Sequence, residues 1–336
     1  MEPQTMPSSF NALLLTQEDK RTIATIASLT EDALPAGDVH VKVTRSSLNY
    51  KDGLAITGKG KIIRDFPMVP GIDFAGEVLR SDDTRFHSGQ HVILTGWGVG
   101  ERHWGGMAEQ AQVKADWLVA MPEHCDADKA MAIGTAGLTA MLCVQALIDG
   151  GVTPEHGEIL VSGASGGVGS VAVTLLAKLG YQVVAISGRV QENQALLLGL
   201  GAKRVLDRQE FEGDGRPLDR SLWAGMVDTV GDKILANALS QMHYNAVVAA
   251  CGLAAGIDLP TTVMPFILRN VRLQGIDSVM CPTPVRQQAW QRLIELLPES
   301  FYQQAITTIT LNEVPQYAEA ITLGQVTGRV VVKLTD

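Results

Sequence analysis

Residues 159–189, ILVSGASGGVGSVAVTLLAKLGYQVVAISGR, run from a short apolar stretch through a glycine-rich turn into a longer helical stretch and a second β-branched run. A strand, a tight turn and a helix in that order aim the first backbone N–H groups of the helix outward at the positive end of its dipole, which suits pyrophosphate. Gly163, Gly166, Gly167 and Gly169 permit the turn and a close backbone approach. The spacing is not a literal G-x-G-x-x-G, and no Lys-Ser/Thr pair follows, which excludes a P-loop. The same residues also spell G-x-S-x-G, with Ser165 where a hydrolase nucleophile would stand. Asp228 and then His243 follow in the order such a triad needs, but His243 falls inside the sheet-forming region with further strands after it.

The end of the second run separates the two chemistries. An NAD site has an acid there for the ribose 2′-hydroxyl, whereas this chain has Ser187-Gly188-Arg189. A hydroxyl, a small residue and a guanidinium suit a 2′-phosphate dianion. The expected cofactor is therefore NADPH, and Ser165 is read as a phosphate neighbour.

Outward from this stretch the pattern alternates. GEILVSG, YQVVAIS, KRVLD, GMVDTVG, AVVAACG and VRLQGID read as strands, and GVGSVAVTLLAKLG, QENQALLLGLG and KILANALSQM read as helices. That alternation predicts an α/β unit with a doubly wound parallel sheet. Before it, NALLL, TIATIAS, VHVKVTRSS, DFAGEVL, QHVILTG and MAEQAQVKAD alternate as antiparallel strands do, and DADKAMAIGTAGLTAMLCVQALI is apolar at helical spacing. After it come the helical PVRQQAWQRLIELLPESF and LNEVPQYAEAITLG and a last strand, GRVVVKL. The simplest architecture inserts the parallel-sheet unit into a β-rich domain.

Composition is that of a soluble protein: 336 residues, 46% hydrophobic, 19% charged, net charge -9. No basic run invites nucleic acid or an anionic membrane, the N-terminus lacks a secretory pattern, and no apolar run is expected to reach transmembrane length. Four cysteines, none in a C-x-x-C pair, fit a reducing compartment, so a cytoplasmic location is expected.

PGIDFAGEV (residues 70–78), GTAGLTA (134–140) and GASGGVG (163–169) together resemble the medium-chain dehydrogenase/reductase superfamily. SSLNYKDGLAITGKGKIIRDFPMVPGIDFAG, LTGWGVGERHWGGMAEQAQVK, PTTVMPFILRNVRLQGIDSVM and PESFY resemble its acryloyl-CoA reductase branch among the quinone oxidoreductase-like enzymes. The resemblance implies a GroES-like β-rich catalytic domain (residues 1–130 and 284–336) and a Rossmann-type NADPH-binding domain (131–283). It implies reduction of the acryloyl-CoA double bond to propanoyl-CoA, and a homodimer. Free enones or quinones as substrates, or cofactor binding with little catalysis, are the alternatives. Zinc-dependent relatives carry a Cys and a Gly-His-Glu motif where this chain has Asn49 and Gly71-Ile72-Asp73, so no metal is expected.

Hydride addition to the β-carbon of an enoyl thioester puts negative charge on the thioester oxygen and leaves the α-carbon to be protonated. Tyr50, expected at the end of a strand in LNYKD, is the leading catalytic candidate and a cofactor contact; Asn49 and Lys51 follow, with Asp52 a local acceptor. By resemblance, Ser165, Gly166, Gly167 and Val168 meet the pyrophosphate, and Ser187, Gly188 and Arg189 the adenosine phosphate. Arg204 is a candidate second cation there. Leu253, Ile276 and Ser278 are expected near the nicotinamide, and Arg329 is expected to reach the cofactor. Lys59, Lys61 and Arg64 form a candidate docking patch for the phosphates of CoA, and His103 and Trp104 are candidates either for the substrate entrance or for packing under a loop.

Overall fold

The computed structural model describes residues 9–335. Two compact units emerge. Unit 1 comprises Met1–Thr135, Val279–Gln287 and Ile306–Asp336, and unit 2 comprises Ala136–Ser278 and Gln288–Ala305.

The described residues begin with β1 (Ser9–Glu18), β2 (Arg21–Thr30) and β3 (Val39–Leu48), turn into helix α1 (Tyr50–Thr57), and continue through β4 (Asp73–Ser81), β5 (His91–Thr95), β6 (Gln110–Val113) and β7 (Leu118–Ala120). Helix α2 (Ala127–Asp149) follows, interrupted at Gly134 by φ 51° and ψ -159°. By length and composition alone it is long enough to cross a membrane, a length the sequence was not expected to reach, but it is mostly buried within the protein.

Unit 2 continues with β8 (Glu158–Val161), α3 (Gly167–Lys178), β9 (Gln182–Ser187), α4 (Val190–Gly199), β10 (Ala202–Asp207), β11 (Trp223–Asp228), α5 (Asp232–Ser240), β12 (Met242–Ala250), α6 (Met264–Arg269) and β13 (Arg272–Gly275). These strands form one sheet in the order β10-β9-β8-β11-β12-β13, every pair parallel. The strand order reverses between β8 and β11, and in such sheets ligands bind beyond the carboxyl ends of the strands at the reversal. All six residues of β11 are buried, as expected of strands covered on both faces. Leu160, Val184, Met226 and Val248, from four neighbouring strands, share a core with Ile234, Leu235 and Leu239 of α5.

The chain then runs through α7 (Thr283–Leu296), α8 (Glu299–Gln304), β14 (Ile306–Thr310), α9 (Val314–Thr322) and β15 (Arg329–Lys333). In unit 1, β1 and β2 pair as an antiparallel ribbon, and a second sheet takes the order β14-β15-β3-β4-β5-β7, with β6 also on β3. Val39, Val41 and Val43 of β3 meet Phe74 and Val78 of β4 and Val92 and Leu94 of β5 in one core, a period of two made visible.

Residues 288–305 belong to unit 2, whereas the sequence reading placed 284–336 wholly with the β-rich domain. Trp290, Leu293 and Phe301 of this segment are fully buried, and Arg292 donates to Gln145 of α2 within the same unit. Strand β14 was not expected either; its short ITTIT sequence carries no turn signal. Phe301→Ala is expected to cost about 3–5 kcal/mol in denaturant unfolding. Leu198→Ala, on the exposed face of α4, should stay within about 0.5 kcal/mol.

Candidate functional site

The glycine turn of unit 2 lies where β8 ends. Gly163 has φ 56°, and Gly166 caps α3 without a side-chain cap hydrogen bond. The helix begins at Gly167, so Ser165, Gly166, Gly167 and Val168 surround an N-terminus whose N–H groups have no intrahelical acceptors. Gly169 has no room for a side chain, because a Cβ there would stand 2.3 Å from the Gly163 carbonyl oxygen. Turn and helix thus close on each other, leaving a backbone cradle that fits a pyrophosphate.

The triad reading fails on direction. Ser165 follows the carboxyl end of β8, whereas His243 is the second residue of β12, at the opposite end of the parallel sheet. Asp228 is occupied elsewhere, accepting from Ser162 Oγ at 2.7 Å and from the Gly231 amide at 2.9 Å. Burial pushes its carboxyl above the ordinary range.

At the end of β9, the buried Ser187 hydroxyl accepts from the Arg189 amide at 3.2 Å and Asn193 Nδ2 at 3.3 Å. Arg189 pairs with Glu192 at 2.9 Å. A second guanidinium is present that the sequence reading missed. A Cβ built on Gly188 would meet Arg208 Cδ and Nε at 2.9 Å and Cζ at 3.1 Å. Arg208 pairs with Glu212 at 2.9 Å, and both ion pairs are partly exposed, so neither binds its arginine strongly. Two cations, a hydroxyl and the absence of an acid in Ser187-Gly188-Arg189 fit a 2′-phosphate.

Arg204 does not join them. It pairs with Val184, three positions before Ser187 along β9, whereas Asp207 pairs with Ser187 itself. Its guanidinium is bound to Glu158 at the start of β8 (2.7 Å) and lies over the Trp223 ring, toward the amino ends of the strands. The residue just beyond the strand end, Arg208, is the one the register delivers. Leu253 follows β12 and is exposed; Ile276 follows β13, its amide donating to the Ala250 carbonyl at 2.9 Å; the buried Ser278 accepts from Thr139 at 2.7 Å. These three stand beyond carboxyl ends of the sheet, as the glycine turn and Ser187 do.

In unit 1, Tyr50 does not end a strand. Strand β3 stops at Leu48, Asn49 is the N-cap, and Tyr50 is the first residue of α1, 37% exposed. An Asn cap with Asp three residues into the helix is what starts a helix there. Asn49 itself is buried and fully engaged. Its Nδ2 donates to Ser47 Oγ (3.2 Å) and Asp73 Oδ2 (3.2 Å), and its Oδ1 accepts from Arg329 Nη1 (3.2 Å). Arg329, expected to reach the cofactor, is instead only 2% exposed and enclosed in this network. Nε donates to the Ala132 carbonyl at 2.8 Å, and Nη2 donates to Ser47 Oγ at 2.9 Å and the Met131 carbonyl at 3.3 Å. Asp73 accepts from Ser47 and, at 2.7 Å, from the Thr135 amide. Only glycine fits at the interruption of α2 beside that bond: a Cβ on Gly134 would collide with Arg329 Nη2 at 2.6 Å and Asp73 Oδ2 at 2.7 Å.

The expected CoA patch is only partly free. Lys59 is held by Glu319 and Thr322 of α9, while Lys61 and Arg64 are exposed. Lys51 is tied to Glu101 at 3.1 Å. His103 packs edge-on to Trp117 and contacts the Gln112 carbonyl at 2.8 Å, with burial lowering its pKa; Trp104 donates to the Pro67 carbonyl at 3.1 Å.

Comparison with known proteins matches residues 35–123 to the alcohol dehydrogenase GroES-like domain and residues 167–299 to the zinc-binding dehydrogenase domain. The chain is 66% identical to the probable acrylyl-CoA reductase AcuI of Escherichia coli K12, covering 96% of this chain and 99% of that one. It is 51% identical to the acrylyl-CoA reductase AcuI of Ruegeria pomeroyi, covering 96% and 98%. The crystal structure of Escherichia coli K-12 YhdH with bound NADPH superposes with a TM-score of 0.95 at 66% identity, covering 96% of this chain and all of that one.

Arg208→Ala is expected to weaken NADPH binding roughly ten- to hundredfold while leaving NADH binding unchanged. Arg204→Ala should alter neither. Fluorescence titration of both nucleotides checks all four values.

Proposed function

The chain belongs to the quinone oxidoreductase-like branch of the medium-chain dehydrogenase/reductase superfamily, and on that premise we propose that it is an NADPH-dependent acryloyl-CoA reductase forming propanoyl-CoA. The cofactor half is carried by one observation: Arg189 and Arg208 flank Gly188 where an NAD site would have an acid. The substrate half is supported by near full-length likeness to two acrylyl-CoA reductases.

When bound, NADPH supplies a hydride to the β-carbon of the enoyl thioester. The protein's part is to hold and to donate. The N-terminus of α3 and the turn at Ser165, Gly166, Gly167 and Val168 bind the pyrophosphate, and Ser187, Arg189 and Arg208 bind the 2′-phosphate. Leu253, Ile276 and Ser278 border the nicotinamide. Tyr50 offers a hydroxyl to the thioester oxygen as charge develops there, or to the α-carbon as acid. Asn49 is assigned to the framework beneath Tyr50 rather than to the reaction, because its polar atoms are already bonded. Lys61 and Arg64 are the cations of the proposed patch that stand exposed to the phosphates of CoA.

The same reading makes the chain a cytoplasmic homodimer. Strand β13 ends the unit 2 sheet, and Ile257, Val263, Ile267 and Leu268 nearby in sequence are 84%, 66%, 71% and 54% exposed. An open strand edge beside so much apolar surface is a pairing site for a second copy. Light scattering should give twice the 35.9 kDa chain mass, and Ile267→Asp should shift it toward monomer; a monomeric wild type contradicts the pairing. In turnover assays, NADPH should be consumed with acryloyl-CoA and far more slowly with free acrylate or a quinone. Turnover of the quinone without the thioester overturns the substrate assignment.

A further inference from the structure

Asp52 is a buried carboxylate that the proposed reaction does not use. It lies two residues past Tyr50, in the first turn of α1, and is 1% exposed. Each oxygen is bonded to a different segment of chain. Oδ2 accepts from the Asn49 amide at 2.9 Å and from Asn49 Nδ2 at 3.3 Å, closing the start of the helix. Oδ1 accepts from the Gly71 amide at 3.2 Å and the Ile72 amide at 3.0 Å, in the turn that leads into β4. That turn is itself clamped: Gly105, Gly106 and Met107 donate their amides to Val69, Gly71 and Pro70 at 2.7, 2.9 and 2.9 Å.

Such a group costs free energy to bury and must be repaid by what it orders. Burial and the neighbouring Asp73 charge push its carboxyl up to about 7, against the pull of its N–H donors. A neutral local cap would close the helix without that cost. What only a two-oxygen acceptor does here is bind the helix start and the 71–72 turn at once, and Tyr50 is the residue carried between Asn49 and Asp52. Helix α1 also packs closely at Gly53, where a Cβ would stand 2.5 Å from Ile321 Cγ2 of α9. The backbone on both sides of Tyr50 is thus tied by the Asn49 cap and by the 71–72 turn while Asp52 keeps both sets of bonds.

We infer that Asp52 is a positioning residue: by bridging the start of α1 to the 71–72 turn it fixes where the Tyr50 hydroxyl stands, an inference that rests on the role given to Tyr50 above. Asp52→Asn keeps the size and supplies only one acceptor oxygen, so one of the two segments meets an NH₂ group and lets go.

The test is a double-mutant cycle on turnover of acryloyl-CoA by the full chain, with NADPH affinity read in parallel. Tyr50→Phe should lower kcat roughly hundredfold. Asp52→Asn should lower kcat roughly ten- to hundredfold in the wild-type background and less than about threefold when Tyr50 is already Phe, with NADPH affinity unchanged in each case. Equal losses in both backgrounds make Asp52 merely structural and overturn the inference while the Tyr50 role stands. Unchanged turnover in Tyr50→Phe instead removes that role. If Asp52→Asn does not fold, Asp52→Ser, which retains an acceptor for the Asn49 amide, takes its place in the cycle with the same outcomes.

Discussion

Six strands of unit 2 run in one direction, and that shared direction decides which residues can act together. Parallel strands put all their carboxyl ends on one edge, so the glycine turn after β8, Ser187 at the end of β9, Arg208 after β10 and the residues following β12 and β13 are brought to the same side. The reversal of strand order between β8 and β11 opens that edge for a ligand. The cationic residues beside Gly188 become meaningful only through this arrangement. An arginine at the other end of the same strand, Arg204, is spent on Glu158 instead.

Unit 1 solves a different problem, that of burying charge. Asp52, Asp73 and Arg329 are each almost wholly inaccessible, and each is surrounded by partners of the right kind. Arg329 donates to two main-chain carbonyls, Ser47 and Asn49; Asp73 and Asp52 accept from main-chain amides and from the same Asn49. Asparagine suits the centre of this network because it both donates and accepts. Removing one partner would strand the others, and buried unpaired charge is far more costly than an exposed one. The rigidity that results is local, and it underlies the first turn of α1.

Much of this was legible in the residues. The β-branched runs and glycine stops located the parallel strands and their helices, and the absence of an acid after β9 already pointed to NADPH, the nucleotide bound in the Escherichia coli structure. What escaped the sequence did so for physical reasons. LNYKD reads as a strand end because the alternating run of β3 leads straight into it, although Asn49 and Asp52 carry the capping pattern that starts α1 in the sequence itself. Arg204 and Arg208 differ by four positions, and only the register with β9 tells which one lies at the strand end. Arg329 sits in an ordinary strand sequence, and nothing local reveals that its charge is consumed internally. The unit 2 membership of residues 288–305 depends on the burial of Trp290 and Phe301, a tertiary fact.

The reduction is directed, with hydride going to the β-carbon and the proton to the α-carbon. Isotope tracing reads it directly. With NADPH deuterated at the transferring position and acryloyl-CoA in ordinary water, mass spectrometry and NMR of the product should find deuterium only on the β-carbon of propanoyl-CoA. With unlabelled NADPH in heavy water, it should appear only on the α-carbon. Cofactor-derived label on the α-carbon, or label from the cofactor lost to solvent, would contradict the account.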